Sequence, residues 1–244
     1  MERRYAPARA LGNHMAGRPA RGRRPQDAVI VDPAEPGSSE VTAVDAKGAS
    51  SVAELVGSAA QWRLLARLLE RPAADWWREI SALAPEARSE DLRRAAKAAR
   101  IAAEGEYLAL FGPGGTHSPR EVAYAGFGDP GQLLADIRGF YSAFAFVPRI
   151  DEPDDHVAVE ANFVAFLRLK EAYLRAALNA EAAGRVLAAR EEFVGSHLAR
   201  LGQGLAERVP LTDPPRYLAI ALQWLGEQVG HVVVTSGTPR LNVV

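Results

Sequence analysis

Ile150-Asp-Glu-Pro-Asp-Asp-His-Val-Ala-Val-Glu-Ala-Asn-Phe-Val-Ala-Phe-Leu-Arg-Leu169 sets four acids, Asp151, Glu152, Asp154 and Asp155, directly before the most hydrophobic run of the chain. From Val157 to Leu169 the apolar residues cover almost the whole helical circumference, which marks a helix buried at the centre of a bundle. Asp154 or Asp155 is expected to cap it, and the pattern continues to about Leu178. Capping and the favourable placement of negative charge at a helix start account for one or two acids, not four. An acidic rim beside apolar surface suits a peptide that combines arginines with a hydrophobic stretch.

Outward from this helix the chain reads as further helices. Val52, Leu55, Val56, Ala59, Trp62, Leu65, Ala66 and Leu69 recur at three- and four-residue steps, and Arg71-Pro72 ends the run. A short helix is expected near 74–84. Ser89 caps another, from Glu90 to Phe111, stopped by Gly112-Pro113. The next 20 or so residues carry Gly112, Pro113, Gly114, Gly115, Pro119, Gly126, Gly128 and Pro130, and loops of this length are uncommon and tend to be functional or mobile. Helical pattern returns over 130–146, then over 181–208 with Val186, Phe193, Val194, His197, Leu198, Leu201 and Leu205 inward. Asp213 caps the last helix, with Pro214 at its first position. Residues 231–244 include a β-prone Val-Val-Val-Thr and form a C-terminal tail. The expected architecture is all-α, a single helical-bundle domain over 51–230.

The composition fits a soluble globular protein, with 48% hydrophobic and 24% charged residues. Cysteine is absent, which excludes disulfides, thiolate metal sites and a cysteine nucleophile. Residues 1–25 hold seven arginines against Glu2, a net of +6, which leaves −7 on the rest of a chain whose net charge is −1. Residues 1–50, rich in Arg, Ala, Gly, Pro and Ser, are expected to be a disordered basic tail, solvated rather than bound to nucleic acid or lipid. Arg3-Arg4 and Arg23-Arg24 lack the apolar segment of an export signal, and no run reaches the roughly 18 apolar residues of a membrane span. A cytoplasmic protein without membrane insertion is expected.

Enzyme chemistry finds weak support. The loop Phe111-Gly-Pro-Gly-Gly-Thr-His117 lacks the Lys-Ser/Thr of a phosphate-binding loop and follows a helix rather than a strand. His156 and Glu160 lie four apart on one helical face, yet a catalytic zinc needs a third ligand and no second spaced pair exists. No Gly-x-Ser-x-Gly elbow or paired-carboxylate motif appears. The residues call for no cofactor.

Four segments carry a family resemblance. Glu106-Tyr-Leu-Ala-Leu-Phe-Gly-Pro-Gly114 is similar to Y-x-x-L-F-G-P-G, and Pro119-Arg-Glu-Val-Ala-Tyr124 to P-Y-E-S-x-Y. In Glu152-Pro-Asp-Asp-His-Val-Ala-Val-Glu-Ala-Asn-Phe163 a Pro and an Asp-His pair precede the helix, and Phe193-Val-Gly-Ser-His-Leu198 is followed by Pro215-Arg-Tyr217. In this order and spacing, over about 52–228, the chain resembles the TorD/DmsD/NarJ-like molybdoenzyme-assembly chaperones. Ala161, Val164, Arg120, Val122 and Leu201 depart from the family pattern, and the basic head lies outside it.

The resemblance implies a chaperone and not an enzyme. Its partner would be the catalytic subunit of a molybdopterin oxidoreductase, bound through its twin-arginine signal peptide or N-terminus while the molybdenum cofactor is inserted. By motif position the peptide-binding residues are Pro153, Asp155, His156, Gly112 and Pro113, followed by Glu160 and Tyr124. Asp155 and its acidic neighbours would attract the client's arginines, and apolar surface near Phe163 and the 112–128 loop would take its hydrophobic stretch. His156, whose charge can change near neutral pH, would cap the helix or tune that contact. A monomer or weak homodimer is expected. The alternatives are a helical metal-dependent hydrolase built on His156, Glu160 and His197, and a permanent helical subunit of an oxidoreductase complex.

Overall fold

The computed structural model describes residues 51–126 and 128–235, so the basic head expected over 1–50 and the last residues of the expected tail lie outside the described part. Helices build it throughout: α1 (Val52–Leu68), α2 (Trp76–Leu83), α3 (Glu90–Ala98), α4 (Glu104–Phe111), α5 (Pro130–Ala143), α6 (Val157–Ala176), α7 (Ala180–Phe193), α8 (Ala199–Arg208) and α9 (Arg216–Thr235). Among the described residues there is no strand, only one isolated antiparallel bridge between Arg120 and His156. The expected all-α bundle is the fold observed.

Local sequence explains the helix starts. Ser51 and Glu54 form a reciprocal capping box on α1, with Ser51 N–H donating to Glu54 Oε2 at 2.8 Å. Ser89 caps α3 and Asn179 caps α7. Asp129 caps α5, where Pro130 supplies a first residue with no orphaned N–H.

Helix α6 is the centre. It is buried from Val157 to Ala165 and again at Leu167, and packs chiefly on α1 and α7, while α9 packs on α8 and α3. Phe163, fully buried, meets Tyr141 and Phe193 at 4.8 Å and Phe146 at 5.1 Å between ring centroids. Burial of such a ring contributes about 1.5–3 kcal/mol, and each well-placed aromatic pair about 0.5–1.5 kcal/mol more.

Several boundaries differ from expectation. The helix expected over 90–111 breaks: Ala99–Ile101 form a 3-10 turn, Ala102 is extended, and α4 sets off separately, so that Tyr107 reaches Leu69 O at 3.2 Å. The run expected over 181–208 contains a π-turn at Val194–Leu198. Val186 and Phe193 are buried seven residues apart, and an unbroken helix would bring Arg200 inward next; the buried residue is Leu201. One inserted residue thus keeps α8 facing the core. Asp213 is no cap. It sits in left-handed backbone at φ 51°, and α9 begins at Arg216. That helix runs on through Val232–Val234, where helical continuation overrides β propensity.

Candidate functional site

The segment after α4 folds back onto the start of α6. Pro119 O accepts from Val157 N–H at 2.9 Å, and Asp155 O from Glu121 N–H at 2.9 Å, which makes the bridge between the two stretches of chain. A 3-10 turn at Glu121–Ala123 follows. Tyr124 O–H donates to Ser118 O at 3.0 Å, and its ring packs beneath the Arg208 guanidinium at 5.2 Å. Tyr124 therefore ties the segment to α8. The Gly/Pro loop is thus pinned from Thr116, whose N–H donates to Ala109 O at 3.3 Å, to Tyr124.

This pinning reassigns Asp155. Its carboxylate is fully buried, accepts from Arg120 at 2.9 Å (Nε) and 2.8 Å (Nη2), and takes Val122 N–H at 3.3 Å. A charge already satisfied inside the protein does not reach a client's arginines. Arg120, where the family pattern has an aromatic residue, supplies the cation. Of the other three acids, Asp154 is held by Arg138 at 2.6 Å, so only Asp151 and Glu152 stay without an ion pair among the described residues. Glu152 has its pKa raised, by partial burial first, against the lowering effect of Arg71.

His156, rather than either aspartate, caps α6. Its Nδ1 accepts from Ala158 N–H at 3.1 Å, which leaves the proton on Nε2, facing Tyr107 Oη at 3.3 Å. Burial, and then the Arg120 charge, hold its pKa down at about 3. The ring stays neutral at physiological pH, so it is a fixed cap and not a near-neutral switch. Both nitrogens are engaged, and among the described residues no three His, Asp or Glu side chains converge as metal ligands. Glu160 is also fully buried, and neither carboxylate oxygen has a partner. Burial foremost, then the negative charges of Glu121 and Asp155, push its pKa well above the usual carboxylate range. Phe163 lies in the core with no exposed surface. Glu160 and Phe163 thus shape the bundle from inside and present nothing to a ligand.

Three of the expected residues do reach an open surface. A cleft of about 580 Å³ lies between the Phe111–Arg120 loop and Glu152, Pro153 and His156. Pro113 and Pro153 are exposed on its two walls. Gly112 forms the sharp exit from α4: a Cβ there would stand 2.6 Å from Leu108 O, which no side chain tolerates.

A larger groove, of about 910 Å³, opens between α5 and the α7–π-turn junction; Glu121, Ala125 and Gly128 of the 112–128 loop line it, but none of the individually expected binding residues does. Leu133, Phe140 and Phe144 supply its apolar lining. Asp129, Asp136 and Glu192 stand exposed around it against a single base, Arg200. Beneath lies Glu121, fully buried, with one oxygen 3.1 Å from His197 Nδ1 and the other without a partner. The π-turn carries His197 to this position. The available signal is the seven-residue spacing of Asp129 and Asp136, with the small residues Ala135, Gly139 and Ala143 along the same helix.

Among known proteins, the model of one family, described as nitrate reductase delta subunit, matches residues 63–206, more than half of the chain, from within α1 through most of α8. No curated protein and no solved structure matches.

Proposed function

Because the chain belongs to the nitrate reductase delta subunit family, the NarJ/TorD-like molybdoenzyme-assembly chaperones, we propose that it holds the arginine-bearing N-terminal leader of a molybdenum oxidoreductase's catalytic subunit in the groove between α5 and α7. The observation that carries this reading is the groove itself. It combines an apolar lining with three exposed carboxylates, none of them in an ion pair among the described residues, an arrangement that suits both halves of such a leader. Arginines of the leader meet Asp129, Asp136 and Glu192, and its hydrophobic stretch lies on Leu133, Phe140 and Phe144. Held there, the client is kept from aggregation and premature export until its cofactor is inserted. No described helix is long and apolar enough to cross a membrane, and the proposed site of action is the cytoplasm.

The cleft at Gly112, Pro113 and Pro153 is a second place for the leader, favoured by the unpaired Asp151 and Glu152 on its side of the molecule. Glu152 is the one acid that lines that cleft, against three exposed acids around the α5–α7 groove, so we place the leader in the latter. Titration calorimetry with a synthetic twin-arginine leader peptide separates the two. Each exposed charge pair contributes about 0.2–1 kcal/mol, so Asp136→Asn with Glu192→Gln weakens binding roughly 2- to 30-fold. Asp151→Asn with Glu152→Gln leaves it unchanged. The reverse result moves the site to the cleft, and indifference to both pairs removes the leader-binding reading.

A further inference from the structure

On the other side of the turn that follows α5 lies a groove of about 680 Å³ with the opposite character. It runs between α1 and α6, closed at one side by residues 145–149. The two helices are antiparallel: Arg63 Nη1 donates to Asn162 Oδ1 at 2.6 Å near one end, while Val56 and Leu169 line the groove further along. Val56 is 44% exposed, Leu169 53% and Val147 75%, and all three converge on this groove. Singly exposed apolar residues need no explanation, but here Val56, Val147 and Leu169 gather with Phe146 and Phe166 in one trough. Its charge is distinctive too. Arg63 and Arg149 are the only ionisable groups that line it, on a chain whose residues beyond the head carry −7, and neither enters an ion pair among the described residues.

We infer that the α1–α6 groove docks an amphipathic helix of a protein partner that carries carboxylates beside its apolar stripe. Charge decides the occupant. An arginine-bearing leader is repelled here by Arg63 and Arg149, whereas a helix with leucines on one face and glutamates flanking them places its apolar face on Val56, Phe166 and Leu169 and its carboxylates on the two guanidinium groups. A second copy of this chain meets the same two arginines with its own, which disfavours a symmetric dimer through this face. The occupant therefore differs from the one proposed for the α5–α7 groove, and this inference does not depend on that reading.

The test is fluorescence anisotropy on the full chain with a labelled helical peptide bearing leucines at i, i+3, i+4 and i+7 flanked by glutamates, beside a twin with lysines in place of the glutamates. The glutamate peptide binds saturably and at least about tenfold more tightly than the lysine peptide. Leu169→Asp and Val147→Asp, both at exposed positions the fold tolerates, each weaken it by about tenfold or more. Arg149→Glu weakens the glutamate peptide and strengthens the lysine peptide, a swap that loss of folding does not produce. Asp136→Asn with Glu192→Gln leaves this binding unchanged. Equal binding of both peptides, or indifference to Leu169→Asp, overturns the inference. So does a dimer in sedimentation equilibrium that Leu169→Asp abolishes, which makes a second copy the occupant.

Discussion

Replacing Glu160 by glutamine flattens the dependence of stability on pH. Both oxygens of Glu160 are buried without partners, and its folded-state pKa is raised well above the ordinary 4.5 by burial and by the charges of Glu121 and Asp155. The folded protein then holds a proton that the unfolded chain releases once pH exceeds about 4.5. The folded state binds more protons, so stability is fully present below that pH and is lost as pH rises toward the folded pKa. While the buried carboxyl keeps its proton, the loss approaches about 1.4 kcal/mol for each pH unit above the unfolded value. A glutamine side chain fills the same space and does not titrate. Urea unfolding of the wild-type protein and the Glu160→Gln variant at pH 5, 6 and 7 measures the difference. Glu70, raised to about 7 mainly by burial, adds a loss over the same range in both proteins and cancels between them. If stability falls with pH along parallel lines in the two proteins, the reasoning is refuted.

Other residues give further expectations. Phe163→Ala removes the hub of the aromatic cluster and lowers stability by about 3–5 kcal/mol in denaturant unfolding, with no direct loss of a ligand contact. Asp155→Asn leaves Arg120 without its counter-ion and lowers stability by about 1.5–3 kcal/mol, toward the low end because Arg120 is partly exposed, while leader affinity in calorimetry stays the same. His156 titrates at about 3 when folded and near 6.5 when unfolded, so its share of stability is present above pH 6.5 and lost as pH falls toward 3. A His156→Asn variant, which retains a cap acceptor, therefore shows a shallower acid limb in thermal unfolding followed by circular dichroism.

The bundle was legible because its helices bury continuous apolar faces, and α6 above all announces itself from Val157 to Leu167. Helix ends were less so. Nothing in Ala99–Ala103 breaks a helix, and the turn there arises from where Tyr107 must pack, against Leu69 and His156. The π-turn had a trace in the shift of buried spacing from Phe193 to Leu201, which an eye fixed on three- and four-residue steps passes over. The acidic run Asp151–Asp155 was read as one rim because sequence shows charge but not its partners. Arg120 lies 35 residues away and Arg138 16 from the acids they neutralise, and no local pattern couples them. The α5–α7 groove was hidden for the same reason, since its acids come from two helices.

One consequence concerns the turn at residues 144–147, where Ala145 adopts φ 55°. Phe144 looks into the acidic trough and Phe146 into the basic one, and both rings rest on Phe163. The two troughs thus share a single partition. Whatever guest tilts that partition on one side reshapes the seat on the other, and any change it makes in its neighbour's affinity must be returned to it by the same factor.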